Sequence, residues 1–394
     1  MPHETAHFAR VEQAVAEIRA GRMIVVVDDE DRENEGDLTL AAEFVTPEAI
    51  NFMAKFGRGL ICLTLTEERA DYLRLGPMTS ENTSRFGTAF TESVEAREGV
   101  TTGISAADRA HTIRVAIDPR STAHDLARPG HVFPLRARKG GVLVRAGQTE
   151  ASVDLARIAG LVSAGVICEI MNEDGTMARV PDLVDFCKLH GLLMVTVADL
   201  IRYRLQHERY IHRVAESSIQ LPQGEFRMIA YENEVEGGES HIALVMGDVT
   251  CEQPVPVRVH THSLAEDVFS LVGSDNRELI EGSLRMIAQA GCGALLYLHN
   301  GTRGFGIDRT VDPHRIVLQK DQRSRERGDD SSHRTLRQVG LGGQILSDLG
   351  IRKIRLITNT PTHVPALQGF GIEIVDQVPI RPQSLFTPMA VSEA

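Results

Sequence analysis

The chain has 394 residues, enough for two domains with full cores, and 42 basic against 54 acidic residues give a net charge of −12. That balance argues against non-specific binding to nucleic acid or to an anionic membrane. The five cysteines (Cys62, Cys168, Cys187, Cys251, Cys292) show no CxxC or paired spacing, so neither a disulfide framework nor a cysteine zinc site is expected. Met1–Arg10 is polar and no apolar run approaches membrane-spanning length, which makes a cytoplasmic protein the expectation.

In chain order, the spacing of Val11, Val15 and Ile18 predicts a helix over Phe8–Ala20, stopped by Gly21. Met23–Val27 is an apolar strand that runs directly into the stretch from Asp28 to Asp37, DDEDRENEGD, in which seven of ten residues are acidic. In isolation such a run is a solvated turn. This one is short, holds a glycine near its end and is flanked by apolar sequence on both sides. Crowded carboxylates repel unless something positive sits among them, and Arg32 or a divalent cation could serve. Mg2+ and Mn2+ choose oxygen ligands, often one or two carboxylates with waters and substrate oxygens.

Thr46-Pro47-Glu48 opens a helix to about Phe56, Leu60–Leu65 is a strand, and Thr66 caps a helix through Tyr72. Residues 76–110 are rich in Gly, Thr and Ser and read as loops. Three strands are expected at Thr112–Ile117, His131–Ala137 and Gly141–Val144. A turn with Arg145 and Gly147 then leads into a helix opened by Thr149. A helix start beside an arginine favours an anion, through its free N–H groups and its dipole. Val166–Met171 is a strand carrying Glu169 in an apolar run, where an unpaired carboxylate is costly. Pro181–His190, Leu192–Val197 and a helix capped by Asp199 complete the half.

The polar stretch Gln206–Ser218 marks a domain boundary near residue 205, giving domains of 1–205 and 206–394. The second half reads as strands Gln223–Glu232, His241–Asp248 and Val255–His260, a helix Asn276–Gly291 and a strand Ala294–His299. A charged, mobile segment Asp308–Arg334 follows. Helix Leu336–Leu349, strand Ile354–Thr358, helix Val364–Gly369, strand Ile372–Val375 and a disordered C-terminus finish a mixed α/β (α+β) pattern. Neither a GxGxxG nor a GKT/GKS motif occurs, so no nucleotide cofactor is expected. Together the residues point to a small phosphorylated substrate and a hard cation.

VVDDEDRENEGDL, TAFTESVEAREGVTTGISAADRA, RPGHVFPLRA, GGVLVRAGQTEASVDLARIAG and VICEIMNEDGTMAR resemble 3,4-dihydroxy-2-butanone-4-phosphate synthase of riboflavin biosynthesis, nearly continuously from Val11 to Arg204. The resemblance implies a lyase that converts D-ribulose 5-phosphate to 3,4-dihydroxy-2-butanone 4-phosphate and formate. It further implies Mg2+ or Mn2+, and a homodimer with sites near the subunit interface. Carried over by position, Arg32 and Glu33 contact substrate, with Glu33 also a metal ligand, and Asp37 handles substrate hydroxyls. Arg145, Ala146, Gly147, Gln148 and Thr149 form the phosphate-binding turn, Glu169 contacts substrate, and His131 and Glu169 serve catalysis. One position departs: the family's metal-ligating histidine is Gln148 here, an oxygen ligand that cannot take a proton as imidazole does.

From Leu221 to Ile380 the chain resembles GTP cyclohydrolase II. The family's zinc cysteines fall at Ser263, Ser274 and Asn276, the acid of its Asp-x-Arg pair at Thr335 with Arg337 kept, and its later basic residues at Thr362-His363. Without thiolates no zinc is expected, so the resemblance implies a degenerate module serving assembly, stability or regulation. A bifunctional enzyme that also opens GTP, and a non-catalytic regulatory protein, are the alternatives.

Overall fold

The computed structural model describes residues 8–28, 32–84, 86–234, 240–262, 267, 276–299, 303–308, 315–320, 331–359, 367 and 370–380. The body of one compact unit is Met1–His207; Glu208–Gln322 with Gln338–Ala394 forms the other.

The first unit is built on strands β1 (Ile24–Val27), β2 (Gly36–Ala41), β3 (Cys62–Leu65), β4 (Val94–Ala96), β5 (Leu126–Arg136), β6 (Ala164–Glu169) and β7 (Met194–Thr196). They form one mixed sheet in the order β4-β5-β3-β6-β2-β1-β7. The strands β1, β2 and β3 are buried along their whole length, β1 as a continuous apolar run and β2 and β3 with Asp37, Thr39 and Thr64 among their buried residues. Side chains alternate along each strand. Leu63 and Val166 enter the core with Ile50 of α2 (Pro47–Phe52) and Ile113 of α4 (Ala106–Ile117). On the opposite face the Thr64 hydroxyl lies 2.7 Å from that of Ser152 in α5 (Gln148–Ile158). Gly165 sits there too, and a Cβ on it would come within 2.7 Å of the Ser152 Cβ. Small residues thus let α5 lie close against the sheet. Helices α1 (Val11–Arg19), α3 (Glu67–Tyr72), α6 (Val180–His190) and α7 (Val197–His207) complete this unit.

Helix starts follow local chemistry. The hydroxyls of Thr46, Thr66 and Ser105 accept from the N–H three residues on, and Pro47 occupies the first turn of its helix. Several expectations are corrected. Thr112–Ile117, whose β-branched residues read as a strand, is the end of α4, because the Ser105 cap and the packing of Ala110, Ile113 and Ala116 impose the helical period. Gly141–Leu143 is a 3-10 turn rather than a strand, since Gly140 and Gly141 both adopt positive φ. The helix expected to open at Thr149 begins at Gln148 after Gly147, and Thr196, not Asp199, caps α7.

The second unit has a sheet in the order β16-β15-β11-β12-β10-β9-β8, formed by β8 (Ile211–Leu221), β9 (Gly224–Asn233), β10 (Ser240–Met246), β11 (Val255–Thr261), β12 (Gly293–Leu298), β15 (Lys353–Ile357) and β16 (Glu373–Val378). A separate hairpin pairs β13 (Arg303–Asp308) with β14 (Arg315–Lys320). Phe226, Ile287 of α8 (Asn276–Ala290) and Leu295 make its core, and α9 spans Ser331–Asp348. The stretch Gln206–Ser218, read as a polar boundary, largely becomes the edge strand β8, whose exposed side chains account for its polarity. Asp308–Arg334 was expected to be mobile throughout, yet it contains β14 and the start of α9. The helix expected at Val364–Gly369 and the C-terminal tail fall largely or wholly outside the described residues.

Candidate active site

The acidic stretch is the connection of the β1–β2 hairpin, where Val27 pairs with Gly36 and Val26 with Asp37. Asp28, the first residue past β1, organises it. Its buried carboxylate accepts from Arg32 Nη1 at 2.6 Å, from the Glu35 N–H at 2.8 Å and from the Glu33 N–H at 3.3 Å. Arg32 is buried and also donates to Glu33, at 2.9 and 3.2 Å, while its guanidinium lies over the Phe86 ring. Arg179, next to α6, donates to the carbonyls of Glu33 and Asn34. Sequence reasoning passed over Asp28 and Arg179. The signal for Asp28 was its place, first after an apolar strand, where only a well-partnered carboxylate is tolerated.

Beyond the hairpin, Asp37 stands opposite Glu169 in the register of β2 with β6. Like charges placed directly across a ladder repel. Burial, then the Glu169 charge, then Asp28, raise the Asp37 carboxyl well above the ordinary range. Glu169 is itself raised, first by burial, although the Leu60 N–H donates to its Oε2 at 2.8 Å. Gly59 permits that approach: a Cβ there would come within 2.5 Å of the same oxygen. Glu35 is pushed up to about 7 by burial and by Glu33, Asp28 and Glu169.

The start of α5 adjoins this cluster. Gln148 donates from Nε2 to the Val26 carbonyl at 2.9 Å and the Glu35 carbonyl at 3.2 Å, while its buried Oε1 has no partner among the described residues. Arg145 is buried against Glu150 at 2.7 Å and also donates to the Phe86 carbonyl and the Thr88 hydroxyl, both at 3.3 Å. Phe86 therefore touches both Arg32 and Arg145. A Cβ on Gly147 would come within 2.5 Å of Arg145 Nη1, so a larger residue there would displace the Arg145 guanidinium. Ala146 and Thr149 are buried beside it.

His131 lies on β5, which carries an excursion: Val94 pairs with Val132, but its neighbour Glu95 pairs with Ala127. Its Nδ1 is 2.9 Å from Glu95 Oε2, a partner the sequence did not reveal. Cys62 of β3 pairs with Phe133 and with Ile167, so stepping two residues back along β3 brings His131 and Glu169 to the same end of the sheet. The structure thus gathers Arg32, Glu33, Asp37, Gln148 and Glu169 at one place and sets His131 at the same edge, with its Nδ1 against Glu95.

Among the described residues no three His, Cys, Asp or Glu side chains are arranged to hold a metal. A magnesium-like cation needs fewer protein ligands than that, and the orphaned Gln148 oxygen is a donor of the kind it prefers. In the second unit Ser263, Ser274, Thr362 and His363 fall outside the described residues. Asn276 donates to Asp267 at 3.0 Å. Among the described residues no helix is long and apolar enough to cross a membrane.

Residues 12–203 match the family model of 3,4-dihydroxy-2-butanone 4-phosphate synthase, and residues 212–379 match that of GTP cyclohydrolase II. The riboflavin biosynthesis protein RibBA of Aquifex aeolicus (strain VF5) is 53% identical over 383 residues, 96% of this chain and 94% of that protein. The RibBA of Bacillus subtilis (strain 168) is 46% identical, covering 95% of this chain and 94% of its own length. The crystal structure of RibBX, a two-domain 3,4-dihydroxy-2-butanone 4-phosphate synthase from A. baumannii, superposes with a TM-score of 0.77 at 39% identity, over 95% of this chain and all of that one.

Proposed function

Because the chain belongs to the riboflavin-biosynthesis family that joins a 3,4-dihydroxy-2-butanone 4-phosphate synthase to a GTP cyclohydrolase II module, we propose that the carboxylate-rich end of the first sheet carries its chemistry. The protein is a lyase: it converts D-ribulose 5-phosphate to 3,4-dihydroxy-2-butanone 4-phosphate and formate.

The observation that supports the site is the pairing of two acids, Asp37, which is buried, and Glu169, which is half-buried, beside the Arg32–Glu33 hairpin. A fold gains nothing from such a pair, and perturbed carboxyls at one place are the mark of a working site. The substrate phosphate sits at the start of α5, where the first N–H groups of the helix and Thr149 face an anion and Arg145 fixes the turn. Arg32 and Glu33 orient the sugar. Asp37 and Glu169, whose carboxyls burial raises above the ordinary range, deliver and remove protons during enolisation and dehydration, with His131 as a further proton carrier. Glu33 and Gln148 would hold Mg2+ or Mn2+, which when bound supplies positive charge to the developing enediolate.

The test is formate release from ribulose 5-phosphate and Mg2+, comparing the natural protein with Gln148→His. We expect the natural protein to turn over with Mg2+, since Gln148 keeps an oxygen donor at this position, and the substitution to change the Mg2+ affinity read by titration calorimetry. An inactive natural protein would remove the site assignment.

A homodimer acting in the cytoplasm is the assembly we propose, to be checked by sedimentation. The match of residues 212–379 favours a second reading, a bifunctional enzyme that also opens GTP. Ser263, Ser274 and Asn276 provide no thiolate for zinc, so we propose that this module has no cyclohydrolase activity. Metal analysis together with a GTP turnover assay separates the two.

A further inference from the structure

Four features converge on the side chain of Glu95, a residue so far without a role. The first is the β5 excursion, which inserts Arg128, Pro129, Gly130 and His131 between two positions that pair with adjacent residues of β4. The second is Gly130 itself. A Cβ there would run into the backbone of Val94 and Glu95, so only glycine lets the excursion fold back onto β4, and its N–H donates to the Ser93 hydroxyl at 3.2 Å. The third is the loop at Gly103, at φ +85°, where a Cβ would collide with Glu95 Oε2 and come within 2.6 Å of His131 Nδ1. The fourth is the anchor of that loop. Asp108, in the first turn of α4, accepts from the Thr101 N–H at 3.1 Å, the Thr101 hydroxyl at 2.7 Å and the Gly103 N–H at 3.1 Å.

These elements bring the Glu95 carboxylate to 2.9 Å from Nδ1 of the His131 ring, which stays partly open to solvent on its other side. A carboxylate can only accept here, so Nδ1 carries the hydrogen, and in the neutral ring the lone pair is on Nε2. A ring free to rotate or to exchange tautomers would present that lone pair only part of the time. The same logic fixes the base of a hydrolase triad through the carboxylate behind it.

From this juxtaposition we infer that Glu95 is a positioning residue for the lyase reaction: it fixes the orientation and tautomer of His131 so that Nε2 faces the substrate. The inference rests on the catalytic reading of His131 given above. Glu95 does not touch substrate, so its removal lowers kcat and leaves KM in place.

Steady-state kinetics of formate release on the full chain, with folding checked by thermal unfolding, tests this in a cycle of His131→Ala, Glu95→Ala and the double variant. We expect His131→Ala to lower kcat by roughly 10²–10⁴-fold, as for a general acid–base group, and Glu95→Ala by about 10-fold or more. KM should move by no more than about two-fold, and Glu95→Ala should cost less than about two-fold in kcat when His131 is already gone. Glu95→Gln keeps an acceptor oxygen in the same shape and should restore part of the loss; it is also the variant to judge by if Glu95→Ala does not fold. An unchanged kcat in Glu95→Ala alongside a damaged His131→Ala would overturn the positioning role and leave His131 catalytic. Losses that multiply in the double variant would overturn it as well. An undamaged His131→Ala would instead remove the reading on which the inference stands.

Discussion

At one end of the first sheet Asp37 and Glu169 face each other across β2 and β6, and Glu35 adds a third raised carboxyl. The second unit also buries a carboxylate, Asp267, but on different terms. His260 and Asn276 lie at 3.0 Å from its Oδ1, and the Tyr297 hydroxyl donates to its Oδ2 at 2.7 Å. Near it, His241 is fully buried and pushed down to about 4, chiefly by burial, so its ring is neutral. One region keeps carboxylates whose charge the fold opposes; the other matches its carboxylate with donors and keeps its imidazoles uncharged. Both cores are closed, so the difference is not one of foldedness. It separates a place where electrostatic cost is retained for chemistry from one where polar groups serve packing.

The sharpest way to break this comparison is Glu33→Ala. It should reduce formate release by on the order of 10³-fold, as loss of a group that stabilises developing charge does, while stability shifts by about 1 kcal/mol or less because Arg32 keeps Asp28. A mild kinetic effect would place the chemistry elsewhere. Asp267→Ala should do the reverse: three donors lose their acceptor, unfolding becomes easier by roughly 1–3 kcal/mol, and formate release is unchanged. Denaturant titration beside the formate assay reads both.

The smallest effect is in the pH dependence. Glu35 titrates near 7 in the fold against 4.5 for an ordinary glutamate, so the folded state binds the extra proton between those values. Its contribution to stability therefore falls as pH rises from about 4.5 to about 7 and is level above that window. Glu35→Gln should flatten this slope in thermal unfolding measured across it. An unaltered slope would mean that the loop carboxylates are not crowded as described.

Much of this was legible in the residues. The apolar run into an acidic stretch fixed β1 and its loop, Thr46-Pro47 and Thr66 marked helix starts, and Glu169 was conspicuous in VICEIM. What escaped depended on distant partners. Thr112–Ile117 has strand propensity, and only its packing in the core reveals a helix. Edge strand β8 hid behind its exposed side chains. Asp28 looked like one acid among seven until its backbone donors were visible, and Glu95 lies 36 residues from the histidine it meets. Within the turn read as phosphate-binding, Arg145 is paired with Glu150, a contact that no local pattern foretold.

The strand that delivers the acidic loop pairs on its outer side with β7, Val25 against Met194. While the chain is being made, β1 leaves the ribosome early and must wait for a partner some 170 residues behind it, as Val25 and Met194 are numbered. Until that edge is seated, the hairpin lacks one neighbour and Gln148 has no fixed Val26 carbonyl to hold. A nascent chain therefore cannot close the β1 edge of this sheet until Thr196, the last residue of β7, has been made.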